Sequence, residues 1–177
     1  MKNLLVLDLD ETLIFANDSR LEYSEDFKTC GYFVYKRPHL ETFLSQVKEW
    51  FKIGVWTSSD KVYALQIVKN IFPKGYPLEF LLSSDNCTTK FDFELQEYYN
   101  IKKLKKLKKK GFSLKNTLII DDTPKKAEQN YGNYIRINAF EGEKDDNELE
   151  LLLKYLPRFI EEDNIRKIEK RLWRTEI

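Results

Sequence analysis

The sequence LLVLDLDETL, at residues 4–13, predicts the first element of this fold and its most reactive groups. Its apolar part is short and rich in branched side chains, which is typical of a buried β-strand. Two carboxylates, Asp8 and Asp10, follow where the hydrophobic pattern ends. If the strand pleat continues, both side chains point to the same side, because side-chain direction repeats every two residues.

Two carboxylates this close repel, so both stay ionised only when a cation or a shared proton offsets the repulsion. Mg²⁺ is the natural cation for an all-oxygen site that lacks histidine and thiolate ligands. A carboxylate nucleophile beside a carboxyl proton carrier and a metal is typical of phosphoryl-transfer sites. The alternative is a polar turn after a buried strand, in which Asp10 or Thr12 caps the following residues.

Composition limits the class of protein. With 177 residues, 42% of them hydrophobic and 33% charged, the chain is typical of one globular domain spanning residues 1–177. A net charge of +1 gives no general attraction to nucleic acid or membranes. Cys30 and Cys87 lack CxxC spacing, and no charge-free apolar stretch is long enough to cross a bilayer. We therefore expect a reducing location, cytoplasmic or nuclear, and a monomer without direct contacts to membranes or nucleic acid.

Strand and helix patterns alternate along the rest of the chain. Strands are predicted at 32–37, 54–57, 78–82, 117–122 and 134–137. Helices are predicted at 38–51, at 61–72, in the lysine-rich run 101–115 and, broken near Pro157, at the C-terminus. Residues 15–28 have a turn-like composition, and 83–100 are predicted to be a long, candidate functional loop. This alternation predicts an α/β fold with a central, mostly parallel five-stranded sheet flanked by helices.

Polar side chains follow three of the predicted sheet strands. In a parallel sheet, ligands bind beyond the carboxyl ends of the strands, which lie at one edge. We therefore expect these polar groups to converge on a single site. They are Asp8 with Asp10, Thr57 with Ser58, and Asp121 with Asp122.

Three motifs resemble, in order, the successive motifs of the haloacid dehalogenase superfamily of phosphatases. They are residues 8–13 (DLDETL), 56–59 (WTSS) and 120–124 (IDDTP). Residues 36–40 (KRPHL) and 145–155 are similar to the branch of small phosphatases acting on the RNA polymerase II C-terminal domain, also called the NLI-interacting-factor family. The resemblance spans nearly the whole chain and implies a Rossmannoid fold without a large cap domain. The segment after Cys87 is longer than that branch leads us to expect.

The resemblance and the chemistry of the residues imply the same roles. Asp8 would attack phosphorus and become a transient aspartyl-phosphate, while Asp10 would protonate the departing alkoxide and then activate water. The implied Mg²⁺ ligands are Asp8, the backbone carbonyl of Asp10, and Asp122, with Asp121 assisting. The implied substrate contacts are Thr12, Thr57, Ser58 and Arg37. Thr57 would hold phosphoryl oxygens, and Arg37 would meet either the substrate phosphate or a carboxylate.

A lysine is expected to neutralise the remaining charge on the phosphoryl group. Lys102 aligns best with the family's valine-lysine-acid-leucine run; Lys103 and, if the long loop folds back, Lys90 are the alternatives. The surrounding run 101–115 carries eight lysines and no acid. Such a run is typical of a helix with a solvated face, or else it attracts a polyanionic substrate such as a multiply phosphorylated tail.

The sequence thus predicts an Mg²⁺-dependent phosphatase that acts on phosphoserine or phosphothreonine of a protein or peptide. One alternative is a phosphatase of the same superfamily acting on a small metabolite or nucleotide, although no stretch is long enough for the large cap of such enzymes. The other is a non-catalytic binding protein on the same fold, which degraded catalytic acids would indicate. All four acids are present: Asp8, Asp10, Asp121 and Asp122.

Overall fold

The computed structural model describes residues 2–177. Its strands are β1 (Leu4–Leu7), β2 (Ile14–Asn17), β3 (Phe27–Thr29), β4 (Tyr32–Lys36), β5 (Lys52–Trp56), β6 (Leu78–Leu82), β7 (Thr88–Asp92), β8 (Glu97–Ile101), β9 (Thr117–Asp121) and β10 (Tyr134–Arg136). The α-helices are α1 (Leu40–Trp50), α2 (Lys61–Ile71) and α3 (Glu148–Tyr155). Short 3-10 helices cover Ser84–Asn86, Leu104–Lys110, Leu114–Asn116, Pro124–Ala127, Leu156–Phe159, Ile165–Lys167 and Trp173–Glu176.

The central sheet has five parallel strands in the order β10-β9-β1-β5-β6. This confirms the predicted α/β fold with a parallel five-stranded sheet. β1 is the middle strand, and all four of its residues are buried. It pairs with β5 on one side and β9 on the other. The residues that follow these three strands therefore meet at one edge of the sheet.

The two faces of this sheet carry separate apolar clusters, because successive side chains of a strand point to opposite faces. Leu5 and Leu7 belong to a cluster that includes buried residues of α1, α2 and α3. Val6 packs in the other cluster with Leu104 and Leu107. A 3-10 helix of seven residues thus covers this second face, where the sequence predicts a longer lysine-rich helix.

A second, three-stranded antiparallel sheet with the order β2-β4-β3 follows β1. The strand predicted at 32–37 is present, but the turn-like interpretation of residues 15–28 is wrong, because β2 and most of β3 lie there. These strands are only partly buried, so they lack the apolar pattern of a core strand. Cys30 and Gly31 have φ angles of 50° and 85°, as a two-residue hairpin turn requires.

Most of the predicted loop 83–100 is a β-hairpin formed by β7 and β8. Threonine and aromatic residues supply its strands, and the Asp92 carboxylate accepts hydrogen bonds from the N–H groups of Glu94 and Leu95 in the turn. The loop prediction is wrong because the polar residues of an exposed hairpin resemble those of a loop. At the C-terminus, α3 ends before a 3-10 helix containing Pro157, as predicted.

The carboxyl edge of the central sheet lies open. Within residues 2–177, the segments inserted near it are the β2-β4-β3 sheet and the β7–β8 hairpin, and neither forms a large cap domain. In the same described part of the chain, no helix is both long and apolar enough to cross a membrane.

Candidate active site

Three carboxylates meet at the carboxyl edge of the central sheet. Asp8 follows β1 directly, and its N–H donates to the Ile120 carbonyl of β9 at 3.1 Å. This pairing places Asp8 beside Asp121 and Asp122. One oxygen from each acid lies within 4.8 Å of the other two, and all three residues are buried.

Lys102 is fully buried between two of these acids. Its Nζ donates to Asp8 Oδ1 and Asp121 Oδ2, both at 2.7 Å. Burial alone would lower the pKa of Lys102, but the two carboxylates raise it above its usual value, so the ammonium persists. The alternative lysines lie elsewhere: Lys90 forms a surface ion pair, and Lys103 precedes the 3-10 helix, half-buried. The motif alignment therefore selected the lysine that contacts Asp8.

The carboxylate cluster fits a divalent cation. Asp8 Oδ2 is buried and has no hydrogen-bond partner within residues 2–177, which is unfavourable for a charged oxygen. Burial and, to a smaller extent, the charge of Asp8 raise the pKa of Asp121 to about 7, although the charge of Lys102 opposes this shift. A cation would offset this repulsion. Asp121 accepts from Lys102 and the Thr123 N–H, and Asp122 accepts from the Thr12 and Thr123 hydroxyls, so Asp8 Oδ2 is the carboxylate oxygen of this cluster without a hydrogen bond in the described residues.

Asp10 lies outside this carboxylate cluster. β1 ends at Leu7, and Glu11 has a left-handed φ of 60°. Such a conformation costs a non-glycine residue free energy and occurs often at active sites. The strand pleat therefore stops before Asp10, and the condition for Asp8 and Asp10 to point to the same side is not met.

Hydroxyl groups hold the Asp10 carboxylate. Tyr63 Oη donates to Oδ1 at 2.5 Å, and Ser59 Oγ and Thr57 Oγ1 donate to Oδ2 at 2.8 and 3.4 Å. Burial raises the pKa of Asp10; the hydrogen bonds from Tyr63 and Ser59 oppose this, and the charge of Asp8 adds to it. The net direction is upward, so Asp10 keeps its proton to a higher pH than an exposed carboxyl, as a proton donor requires.

The other predicted hydroxyl contacts lie at separate points of the site. Thr57 is buried, and its Oγ1 also accepts from a backbone N–H at 3.0 Å. Thr12 is buried on the side of the carboxylate cluster, where its Oγ1 donates to Asp122 Oδ1 at 3.4 Å. Ser58 Oγ is buried without a hydrogen-bond partner in the described residues. Thr57 and Thr12 therefore contact the acids directly, whereas Ser58 does not.

Arg37 meets a carboxylate, which is one of the two alternatives given by the sequence. Its guanidinium is fully buried and forms a bidentate pair with Asp146, with N···O distances of 2.7 and 2.6 Å. The remaining N–H groups donate to the carbonyls of Glu11, Thr12 and Asn138. All five guanidinium N–H groups are thus used inside the protein, which favours the carboxylate alternative for Arg37 over a contact with substrate phosphate. Arg37 instead fixes the segment around Thr12.

Sequence reasoning missed Lys126, Tyr63 and Ser59. Lys126 Nζ lies 3.7 Å from Asp8 Oδ2, and its side chain is 25% exposed. Burial would lower the pKa of Lys126, but Asp8 and the neighbouring acids raise it. A signal was present in the sequence: Lys126 follows the IDDTP motif, and Pro124 predicts the helical turn that carries it.

A surface cavity of about 340 Å³ opens beside Asp10. Tyr32, Ser59 and Tyr63 line it, and the Tyr32 and Tyr63 rings pack edge to face at 5.9 Å. A larger cavity of about 590 Å³ is lined by Pro124, Ala127 and residues 166–171, and none of the four acids lines it. Of these two cavities, the smaller one therefore reaches one of the four acids, Asp10.

Residues 3–166 match the family model described as NLI interacting factor-like phosphatase. The chain belongs to this phosphatase family. This confirms the predicted superfamily and branch.

The relatives that this chain matches differ widely in the share of their length that it covers. The chain is 33% identical to CTD phosphatase-like protein 355R of Invertebrate iridescent virus 3, covering 89% of this chain and 97% of the viral protein. It is 31% identical to CTD small phosphatase-like protein 2 of Dictyostelium discoideum, covering 92% of this chain but 28% of that relative. The chain thus corresponds to nearly all of the viral protein and to a part of the other.

The fold of the family is also seen in solved structures. Fission yeast RNA polymerase II CTD phosphatase Fcp1, bound to beryllium fluoride, superposes with a TM-score of 0.60 at 21% identity, covering 79% of this chain and 42% of that one. A haloacid dehalogenase-like hydrolase from Bacteroides fragilis gives a TM-score of 0.54 at 10% identity, covering 85% of this chain and 93% of that one. At these identities the similarity concerns the fold.

Proposed function

We propose that this chain is an Mg²⁺-dependent phosphatase that hydrolyses phosphoserine or phosphothreonine of a protein through an aspartyl-phosphate. One observation carries the proposal: Lys102 binds one oxygen of Asp8 and leaves Oδ2 without a hydrogen bond in the described residues, with Lys126 Nζ 3.7 Å away. Asp10 lies nearby and can carry a proton, because burial raises its pKa. An oriented nucleophile beside a carboxyl that retains its proton supports covalent phosphoryl transfer.

In the proposed reaction, the Asp8 carboxylate attacks phosphorus as the bond from phosphorus to the ester oxygen breaks. The departing alkoxide takes a proton from Asp10. Water then attacks the phosphoryl group on Asp8, Asp10 accepts a proton from that water, and inorganic phosphate is released. Thr57 and Ser59 keep the Asp10 carboxyl in place through both steps.

The same residues would hold the cation. Asp8, Asp122 and the backbone carbonyl of Asp10 would bind Mg²⁺, with Asp121 assisting. The bound ion supplies positive charge that reduces the repulsion between the Asp8 carboxylate and the phosphate dianion.

Removal of divalent cations should abolish activity. Excess EDTA should stop hydrolysis of p-nitrophenyl phosphate, Mg²⁺ should restore it, and Ca²⁺ should restore little, because calcium coordination is longer and looser. Mg²⁺ should also raise the unfolding temperature, because binding to three close carboxylates favours the folded state. Full activity in EDTA would contradict the proposed chemistry.

Lys126 should be the cation that meets the substrate phosphate, because Lys102 is fully buried and held by two acids. Lys126→Met should lower kcat/KM by about a hundredfold, as loss of a charge-stabilising donor does. Lys125→Met is the matched control, since Lys125 pairs with Asp92 of the hairpin. A similar loss in both variants, measured with p-nitrophenyl phosphate, would refute this role.

An open site favours a protein substrate over a small metabolite. Within residues 2–177, no large cap encloses the acids, and the cavity beside Asp10 opens to the surface. The names of several relatives contain the words CTD phosphatase-like or CTD small phosphatase-like, which supports a phosphorylated protein or peptide as partner. Assaying phosphopeptides against phosphometabolites and nucleotides, all with Mg²⁺, tests the choice; higher kcat/KM for metabolites would reverse it.

We also propose that residues 1–177 form one domain, that the protein is a monomer in the cytoplasm or nucleus, and that it binds neither membranes nor nucleic acid directly.

A further inference from the structure

The 3-10 helix Leu104–Lys110 and the turn after it carry a dense group of exposed lysines. These are Lys105, Lys106, Lys108, Lys109, Lys110 and Lys115. The ion pairs within residues 2–177 engage other lysines, such as Lys102 and Lys125. The six therefore have no carboxylate within the 4.0 Å of an ion pair in the described structure, and their positive charge is not neutralised locally.

Two of these lysines border a groove of about 470 Å³. Leu104, Phe112 and Leu114 supply its apolar floor, and Lys105 and Lys108 stand on its rim. Phe112 and Leu114 are half-buried at the edge of the apolar cluster that covers the second face of the sheet. The element that covers this face is a short 3-10 helix and not the longer helix that the sequence predicts. Its volume suits one or two apolar side chains.

The groove is connected to the active site through the chain. Leu104 comes two residues after Lys102, which contacts Asp8. At roughly 2 Å per residue, the 3-10 helix extends about 14 Å from that point. An extended peptide spans about 3.5 Å per residue. Because Leu114 precedes β9 and Asp8 pairs near the other end of that strand, a linker of at least about five extended residues must separate a segment in the groove from a phosphoresidue at Asp8.

We propose that this groove, with its lysine rim, binds an acidic segment of the phosphoprotein substrate that carries an apolar anchor residue. The proposal rests on the proposed function and names the part of the substrate recognised beyond the phosphoresidue. Lysines without local counter-ions complement acidic or phosphorylated residues, and the apolar floor buries the anchor. Binding here raises the effective concentration of the phosphoresidue at Asp8.

The shape and composition favour a peptide over other polyanions. Residues 101–115 contain eight lysines but no arginine, the residue typical of specific nucleic-acid contacts. Single-strand binding also relies on aromatic stacking platforms, whereas Phe112 is half-buried and packs edge to face on Phe80 at 5.9 Å. A membrane surface requires no concave apolar pocket of this size.

The test compares three phosphoserine peptides with the full chain. Two carry a Glu-rich extension with one leucine, placed before or after the phosphoserine, and the third carries a Gly-Ser extension of equal length. At least one acidic peptide should have a kcat/KM about tenfold above the Gly-Ser peptide. The advantage should fall between 0.05 and 1 M salt, because the Debye length shrinks to about 3 Å. Replacing its leucine by glycine should also reduce the advantage.

Charge reversal at the rim tests whether the peptide preference depends on the groove and not on the overall charge of the protein. Lys105→Glu with Lys108→Glu should remove the acidic-peptide preference, whereas Lys69→Glu with Lys74→Glu, the same charge change at other exposed positions, should retain it. Hydrolysis of p-nitrophenyl phosphate should stay the same in both variants. If the wild type does not hydrolyse p-nitrophenyl phosphate at all, the proposed function is wrong, and the groove is not the cause. Persistence of the peptide preference in the rim variant, or tighter binding of RNA or acidic vesicles than of the peptide, would overturn the groove proposal.

Discussion

Replacing Asp8 by asparagine should lower phosphatase turnover by about a thousandfold or more, because the amide cannot attack phosphorus and the covalent route is lost. The loss should be equal for p-nitrophenyl phosphate and phosphoserine peptides. Rapid quenching of the wild type with ³²P-labelled substrate should trap label on the protein, and the Asp8→Asn variant should trap none.

Unfolding measurements must accompany this result. Asn at position 8 leaves the buried Lys102 ammonium with Asp121 as its remaining carboxylate, which costs stability, but it also removes the repulsion between Asp8 and Asp121. Asp163→Asn is the matched control, since Asp163 is exposed and distant along the chain from the motifs. Near-normal turnover in a folded Asp8→Asn variant would refute the nucleophile assignment.

Replacing Asp10 by asparagine should affect substrates according to their leaving groups. A serine alkoxide needs the proton of Asp10 to depart, whereas p-nitrophenolate leaves without one. The first chemical step with a phosphoserine peptide should therefore slow by about 10²- to 10⁴-fold. The same step with p-nitrophenyl phosphate should slow far less. The comparison requires the rapid-quench burst, because Asp10 also activates water in the second step.

The Asp10→Asn variant has an internal control. With p-nitrophenyl phosphate it should release about one equivalent of product and then stall, because the aspartyl-phosphate on Asp8 is no longer hydrolysed. The asparagine amide oxygen still accepts the hydrogen bond from Tyr63, and its NH2 group can donate to the Ser59 hydroxyl in place of the bond that Asp10 accepted, so the site geometry is largely kept. An equal fall in burst rate for both substrates would mean that Asp10 acts through geometry and not as the general acid.

Local patterns determined the central sheet and the acids at its edge. Residues 4–7 are apolar throughout, which marks a strand buried on both faces, and such strands pair in parallel between helices. Once the sheet is parallel, the ends of its strands must share one edge. Asp8, Thr57 and Asp121 could therefore be placed together from the sequence. The sequence did not predict the strands β2, β3, β7 and β8. Strands that are polar and at most partly buried resemble turns and loops in composition.

The tertiary structure alone decided which partners each charged group meets. Neither composition nor spacing shows that Arg37 pairs with Asp146, a residue 109 positions away, or that Asp10 turns toward Tyr63. Composition and spacing also do not show that Lys126, in the helical turn after β9, lies close to Asp8. Sequence patterns report the local backbone and which side of an element is apolar. Contacts between buried charges depend on how distant segments pack, because the low polarity of the interior requires each charge to find a counter-charge wherever the fold supplies one.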